Sequence, residues 1–147
     1  MKKVSLFLFM LIPIYAVAGN AELLYDFKVL RVIDGDTVEI EADFLPPPLK
    51  PTLKLRILGV DTPEKKSRAK CPSESLLAEK ASMFTQKMIS EGLIKKIQIK
   101  SWDKYGGRVL GDVIVDGESL KDLLLSKGLA KPYEGGKKTG WCGEEYQ

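Results

Sequence analysis

Residues 52–64 read TLKLRILGVDTPE. Leu53, Leu55 and Ile57 alternate with Lys54 and Arg56, the two-residue period of a half-buried strand. Asp61, Thr62, Pro63 and Glu64 then make an acidic turn at the strand's end. Upstream, YDFKVLRV at 25–32 and TVEIEA at 37–42 also read as extended. The IDGD between them reads as a tight turn, with Gly35 supplying backbone freedom. The segment 43–51, DFLPPPLKP, cannot continue a strand and is expected to be a loop.

Downstream of a charged loop at 61–73, a helix is expected from about Glu74 to Ser90. Ser73 would cap it, Gly92 would end it, and Leu77, Ala81, Phe84 and Met88 would form its apolar stripe. IKKIQIKS at 94–101 and RVLGDVIV at 108–115 read as two more strands around a Tyr105-Gly106-Gly107 turn. After Asp116-Gly117, a short helix covers about Ser119 to Ser126, stopped by Gly128. The remaining tail has little periodicity and is expected to be a loop pinned by Trp141 and Cys142. Five strands with a helix between the third and fourth suit a curled antiparallel sheet closing into an OB-type β-barrel with helices, an α+β class.

The first twenty residues differ from the rest. Lys2 and Lys3 precede an apolar run from Val4 to Val17, and Ala16-Val17-Ala18 has the small-residue pattern of a signal-peptidase site. The run is short for a membrane span. We therefore expect 1–18 to be a signal peptide and 19–147 an exported chain, periplasmic or secreted, without stable membrane association; an uncleaved anchor is the alternative. The precursor has 23 basic and 20 acidic residues, a formal charge of +3. Without Lys2 and Lys3 the balance is 21 − 20, or +1, so net charge does not argue for nucleic-acid binding. Lys65, Lys66, Arg68 and Lys70 make a local basic stretch that could steer a polyanion or simply be a solvated face, and Lys137 with Lys138 makes a smaller one. Cys71 and Cys142 are the two cysteines. Export permits a disulfide that ties the tail to the segment after VDTPE; free thiols or intermolecular pairing are the alternatives. Nothing in the sequence marks a second interface, so a monomer is expected.

Two acidic turns carry the chemistry. Asp34 and Asp36 flank Gly35, and Asp61 and Glu64 lie in the second turn. In a closed sheet these turns can meet at one rim, where gathered carboxylates need a cation or guanidinium groups. Calcium or magnesium suits such oxygen ligands. Both stretches are also good turn sequences without any metal. Arg56 and Arg108, each able to form an ordinary ion pair, would with a metal make a clamp for a phosphodiester. The chain has no histidine. That excludes histidine general-base chemistry, a Ser-His-Asp triad and the usual zinc hydrolase sites.

IDGDT at 33–37, LRILGVDTPE at 55–64, DKYGGR at 103–108 and GLAKPY at 128–133 together resemble the staphylococcal nuclease (thermonuclease) family, over residues 25–133. The resemblance implies a five-stranded OB-type barrel and calcium-dependent hydrolysis of DNA and RNA that leaves a 3′-phosphate. It implies Asp36, Asp61 and the carbonyl of Thr62 as calcium ligands, with Asp34 supporting them. It implies Arg56 and Arg108 on the phosphate, Glu64 on the attacking water, and Lys104, Tyr105 and Tyr133 near the nucleotide. Since a carboxylate is a weak base near neutral pH, Glu64 would serve in large part by positioning water. Phosphate clamping and base stacking need no particular sequence and favour single strands. Three departures stand out: the extra Gly107 before Arg108, the short C-terminal region, and the proline loop. A non-catalytic single-stranded nucleic-acid-binding OB module is the leading alternative, with a structural envelope protein behind it.

Overall fold

Alternation of the kind seen at 52–57 sets up the whole sheet. The computed structural model describes residues 22–143. Its strands in chain order are β1 (Leu24–Tyr25), β2 (Val29–Asp34), β3 (Thr37–Glu41), β4 (Thr52–Ile57) and β5 (Val60–Asp61). Helix α1 (Pro72–Glu91) follows, then β6 (Lys95–Trp102), β7 (Arg108–Val115), β8 (Glu118–Ser119), α2 (Leu120–Ser126) and β9 (Lys131–Pro132). The signal-peptide reading falls on residues outside those described. No described helix is long and apolar enough to cross a membrane.

The main ladder runs β1-β6-β7-β4-β3-β2, with β8 beside β7. The five long strands are those expected from the sequence, in an OB-like α+β arrangement. The sequence 25–32, expected as one strand, is divided. Leu24–Tyr25 pairs with β6 and Val29–Asp34 with β3, at opposite ends of the ladder. Residues 26–28 connect the two pieces, so the chain itself joins the ends of a ladder that hydrogen bonds leave open. The sheet is also not wholly antiparallel: β4 and β7 run parallel, with Arg56 opposite Leu110. α1 and β6 supply the crossover that a parallel pair requires.

Alternation sends Val38, Ile40, Leu55, Ile57, Val109 and Val113 into one core, joined by Leu120 and Leu124 of α2. Each fully buried aliphatic side chain of this kind contributes roughly 1.5–3 kcal/mol. α1 packs differently from expectation. Its buried face is Glu74, Ala78, Ala81, Thr85 and Ile89, so Leu77, Phe84 and Met88 flank the contact rather than centre it. The small Ala81 and Thr85 let the helix approach the Asp34–Asp36 turn closely. Thr85 Oγ1 donates to Gly35 O at 2.7 Å, and a Cβ on Gly35 would stand 2.8 Å from Ala81 Cβ. Gly35 is therefore required for close approach rather than for a left-handed backbone. The helix N-cap is Cys71 with Pro72 following, not Ser73, and no side chain caps it.

Candidate active site

Arg56 leaves β4 on the face opposite Leu55 and Ile57, and its guanidinium stands between the two acidic turns. One terminal nitrogen donates to Asp36 Oδ2 at 3.0 Å, to Asp61 Oδ1 at 3.4 Å and to Val60 O at 3.2 Å. Asp36 also accepts from Thr37 Oγ1 at 2.9 Å and from the Thr62 N–H at 3.3 Å. Burial pushes the Asp36 carboxyl above its ordinary range; Arg56 opposes that shift and nearby Asp34 adds to it. Asp34 Oδ1 is buried with no partner.

These residues form one wall of an open cleft of about 620 Å³. The cleft is lined by Asp34, Asp36, Arg56, Thr62, Glu64 and Arg108, and also by Lys104, Tyr105 and Tyr133. Asp61 lies just behind the lining, 4% exposed. The structure thus brings every sequence-proposed site residue to one rim. The extra glycine does not displace Arg108. Gly106 and Gly107 both take left-handed backbone, φ 70° and 69°, and absorb the added residue in the turn. Arg108 pairs with Asp103, which also accepts the Tyr105 N–H at 3.2 Å. Burial would raise the Asp103 carboxyl, but these bonds outweigh it and hold the group below its usual range. The Arg56 guanidinium carbon lies 5.7 Å from the Tyr133 ring centre.

Several contributors were not legible from the sequence. The carboxylate of Glu74 is buried and accepts the N–H groups of Glu64 at 3.3 Å and Lys70 at 2.6 Å, fixing the loop that presents Glu64. Arg68, part of the basic stretch, is engaged rather than free: it pairs with Glu64 at 3.1 Å and Asp34 at 3.6 Å. Lys138, from the supposedly irregular tail, reaches Asp61 at 2.7 Å and Glu64 at 3.0 Å. Burial alone would lower its pKa, but the two carboxylates hold it above the usual lysine value. Trp102 lines the cleft 62% exposed. Arg68 and Lys138 stand out in the sequence only as members of basic stretches, and Glu74 and Trp102 not at all; the fold places Arg68, Lys138 and Trp102 along the cleft.

The tail is structured because β9 pairs with β5, Asp61 opposite Lys131. A disulfide joins Cys71 to Cys142, with Cα atoms 6.0 Å apart. The donor set is all oxygen: two carboxylates, Asp36 and Asp61, that converge on one guanidinium nitrogen. An orphaned Asp34 oxygen and three protein cations among the carboxylates, Arg56, Arg68 and Lys138, mark a place that seeks positive charge. This chemistry fits a hard divalent ion held by Asp36, Asp61 and the Thr62 carbonyl.

Residues 54–146 match the family model described as staphylococcal nuclease homologue. The chain belongs to the staphylococcal nuclease family. Within reach of this family, the chain is 35% identical over 117 residues to "Endonuclease YncB" of Bacillus subtilis, covering 76% of this chain and 50% of that protein. It is 32% identical over 106 residues to the "Thermonuclease" of Staphylococcus hyicus, covering 71% and 57%. A third staphylococcal nuclease relative, "Endonuclease YhcR" of Bacillus subtilis, is 32% identical over 120 residues, which are 78% of this chain but 9% of that protein. The chain therefore spans little more than half, or less, of these relatives.

Proposed function

We propose that this staphylococcal nuclease family member is a calcium-dependent endonuclease acting on DNA and RNA with little sequence specificity and leaving 3′-phosphates. One observation carries the reading: Arg56, Arg108 and Glu64 line a single cleft beside Asp36 and Thr62, with Asp61 directly behind. The names of the relatives, endonuclease and thermonuclease, support it. Asp36, Asp61 and the Thr62 carbonyl would hold calcium, which would supply positive charge against the oxygens of an attacked phosphate. Arg56 and Arg108 donate to the non-bridging oxygens, Arg108 exchanging Asp103 for substrate. Glu64 orients the attacking water and accepts its proton. The water oxygen joins phosphorus as the bond to the 5′-oxygen breaks; that oxygen takes a proton from solvent water to become the 5′-hydroxyl, and the phosphate stays on the 3′ side.

Lys104, Tyr105 and Tyr133 border the cleft where a nucleotide would lie, and Tyr105 is 77% exposed. Exposed rings of this kind stack on unpaired bases without reading sequence, so single strands are the favoured substrates. The mature protein acts as a monomer outside the cytoplasm, a reading based on the apolar leader and in keeping with the disulfide.

The test is cleavage of fluorescent single-stranded DNA and RNA in calcium, magnesium or excess chelator, with Glu64→Ala prepared identically. Calcium-dependent cutting that the variant loses is expected. Binding without cutting by the folded, disulfide-bonded protein would replace this reading with the non-catalytic OB module.

A further inference from the structure

Residues 133–142 form a strap held at both ends. At one end the Tyr133 N–H donates to Gly59 O at 3.0 Å, beside the β5–β9 pair. At the other, Cys142 is bonded to Cys71, and Trp141 is 3% exposed. Internal bonds shape the strap: Tyr133 Oη donates to Gly136 O at 3.1 Å and Lys131 Nζ to Gly140 O at 2.7 Å. Lys138 sits within this anchored span and delivers its ammonium to Asp61 Oδ1 and Glu64 Oε1.

An ammonium has three donors and no lone pair, so it cannot join a metal's coordination shell. Beside a divalent ion on Asp61 it would be a like charge within a few ångströms, in a wall where Asp61 is nearly dry. Lys138 on Asp61 Oδ1 and calcium on the same carboxylate therefore oppose one another, Lys138 adding a second positive charge to an oxygen that already faces Arg56. We propose that Lys138 is a tethered competitor for the cation site, which raises the calcium concentration the protein needs and holds Glu64 until calcium displaces it. The strap, closed by Cys71–Cys142, keeps the competing ammonium at high local concentration. This rests on the calcium reading above.

Isothermal titration of calcium into the disulfide-bonded protein tests it at fixed ionic strength, with near-ultraviolet circular dichroism confirming the fold of each sample. Lys138→Met is expected to lower the calcium Kd roughly three- to tenfold, the scale of losing a partly exposed ion pair. Lys137→Met removes the same charge from the neighbouring exposed position and is expected to shift Kd by less than about twofold. Opening the disulfide with a reductant should tighten calcium binding in the wild type and add nothing in Lys138→Met. Equal affinities of wild type and Lys138→Met, or an equal shift in Lys137→Met, would overturn the competition while leaving calcium binding intact. Unchanged or weaker binding on reduction would overturn the tether. Absence of calcium binding in both wild type and Lys138→Met would overturn the calcium reading and the competition together.

Discussion

The cleft has two walls built by different means. The inner wall, Asp36, Arg56, Asp61 and Thr62, rises from the β2–β3 turn, β4 and the end of β5, and its side chains are almost dry: Arg56 is 13% exposed and Asp36 8%. The outer wall is made by loops and strap, and its ion pairs are wetter, with Lys138 43% and Arg68 65% exposed. A charge on the inner wall is held by the sheet and cannot easily find another partner. A charge on the outer wall can exchange its partner for water, salt or substrate at little cost. The comparison predicts that inner-wall changes damage fold and function together, while outer-wall changes separate them.

The largest effect should come from the groups that face substrate. Glu64→Ala or Arg108→Met is expected to lower single-turnover cleavage by about 10³-fold or more, with Glu64→Ala changing unfolding stability by no more than about 1 kcal/mol. A comparable loss of stability in urea titrations would move Glu64 to the structural side. Next, replacing both cysteines with serine should cost up to roughly 4 kcal/mol, because the bridge closes a loop with a sequence separation of 71. Urea unfolding measures this, and an unchanged midpoint would mean that the strap holds without its tether. Arg56→Met should cost about 3 kcal/mol in calcium-free protein, since it removes the cation paired with the buried Asp36 and leaves Asp61 to Lys138 alone; a neutral result would erase the contrast between the walls.

Two smaller effects sharpen the comparison. Asp103 titrates below its usual range, so it contributes stability above the ordinary aspartate value, near pH 3.9, that is lost as pH falls through its folded value. Asp103→Asn should therefore be less stable near neutrality and show a shallower loss of Tm between about pH 4 and 2. A parallel acid limb would contradict that assignment. Arg68→Ala, at the most exposed pair of the outer wall, should change stability by less than about 1 kcal/mol, and the difference should shrink in high salt.

The inner wall was legible in the sequence because local rules govern it. Strand period placed Arg56 opposite Leu55 and Ile57, and the two acidic turns lie at strand ends that a curled sheet brings together. Even there the reason for Gly35 was misread: the turn needs no left-handed glycine, and the requirement comes from α1, fifty residues away in sequence. The helix stripe was off by one position because polar Glu74 and Thr85 are buried to serve the loop and the turn, which hydrophobic period does not report. The outer wall was nearly silent. Lys138 looks like any solvated lysine until β9 and the disulfide carry it to Asp61, and neither contact leaves a local pattern. Arg68 reads in the sequence as a steering charge or a solvated one, because its partners Glu64 and Asp34 are brought near it by folding.

The most direct measurement is a crystal structure with calcium and a short single-stranded phosphorothioate oligonucleotide. Calcium is expected on Asp36, Asp61 and the Thr62 carbonyl, with a backbone phosphate between Arg56 and Arg108, Glu64 facing that phosphate, and Lys138 withdrawn from Asp61. Calcium bound elsewhere, or an oligonucleotide lying outside this cleft while Arg108 stays on Asp103, would contradict this arrangement.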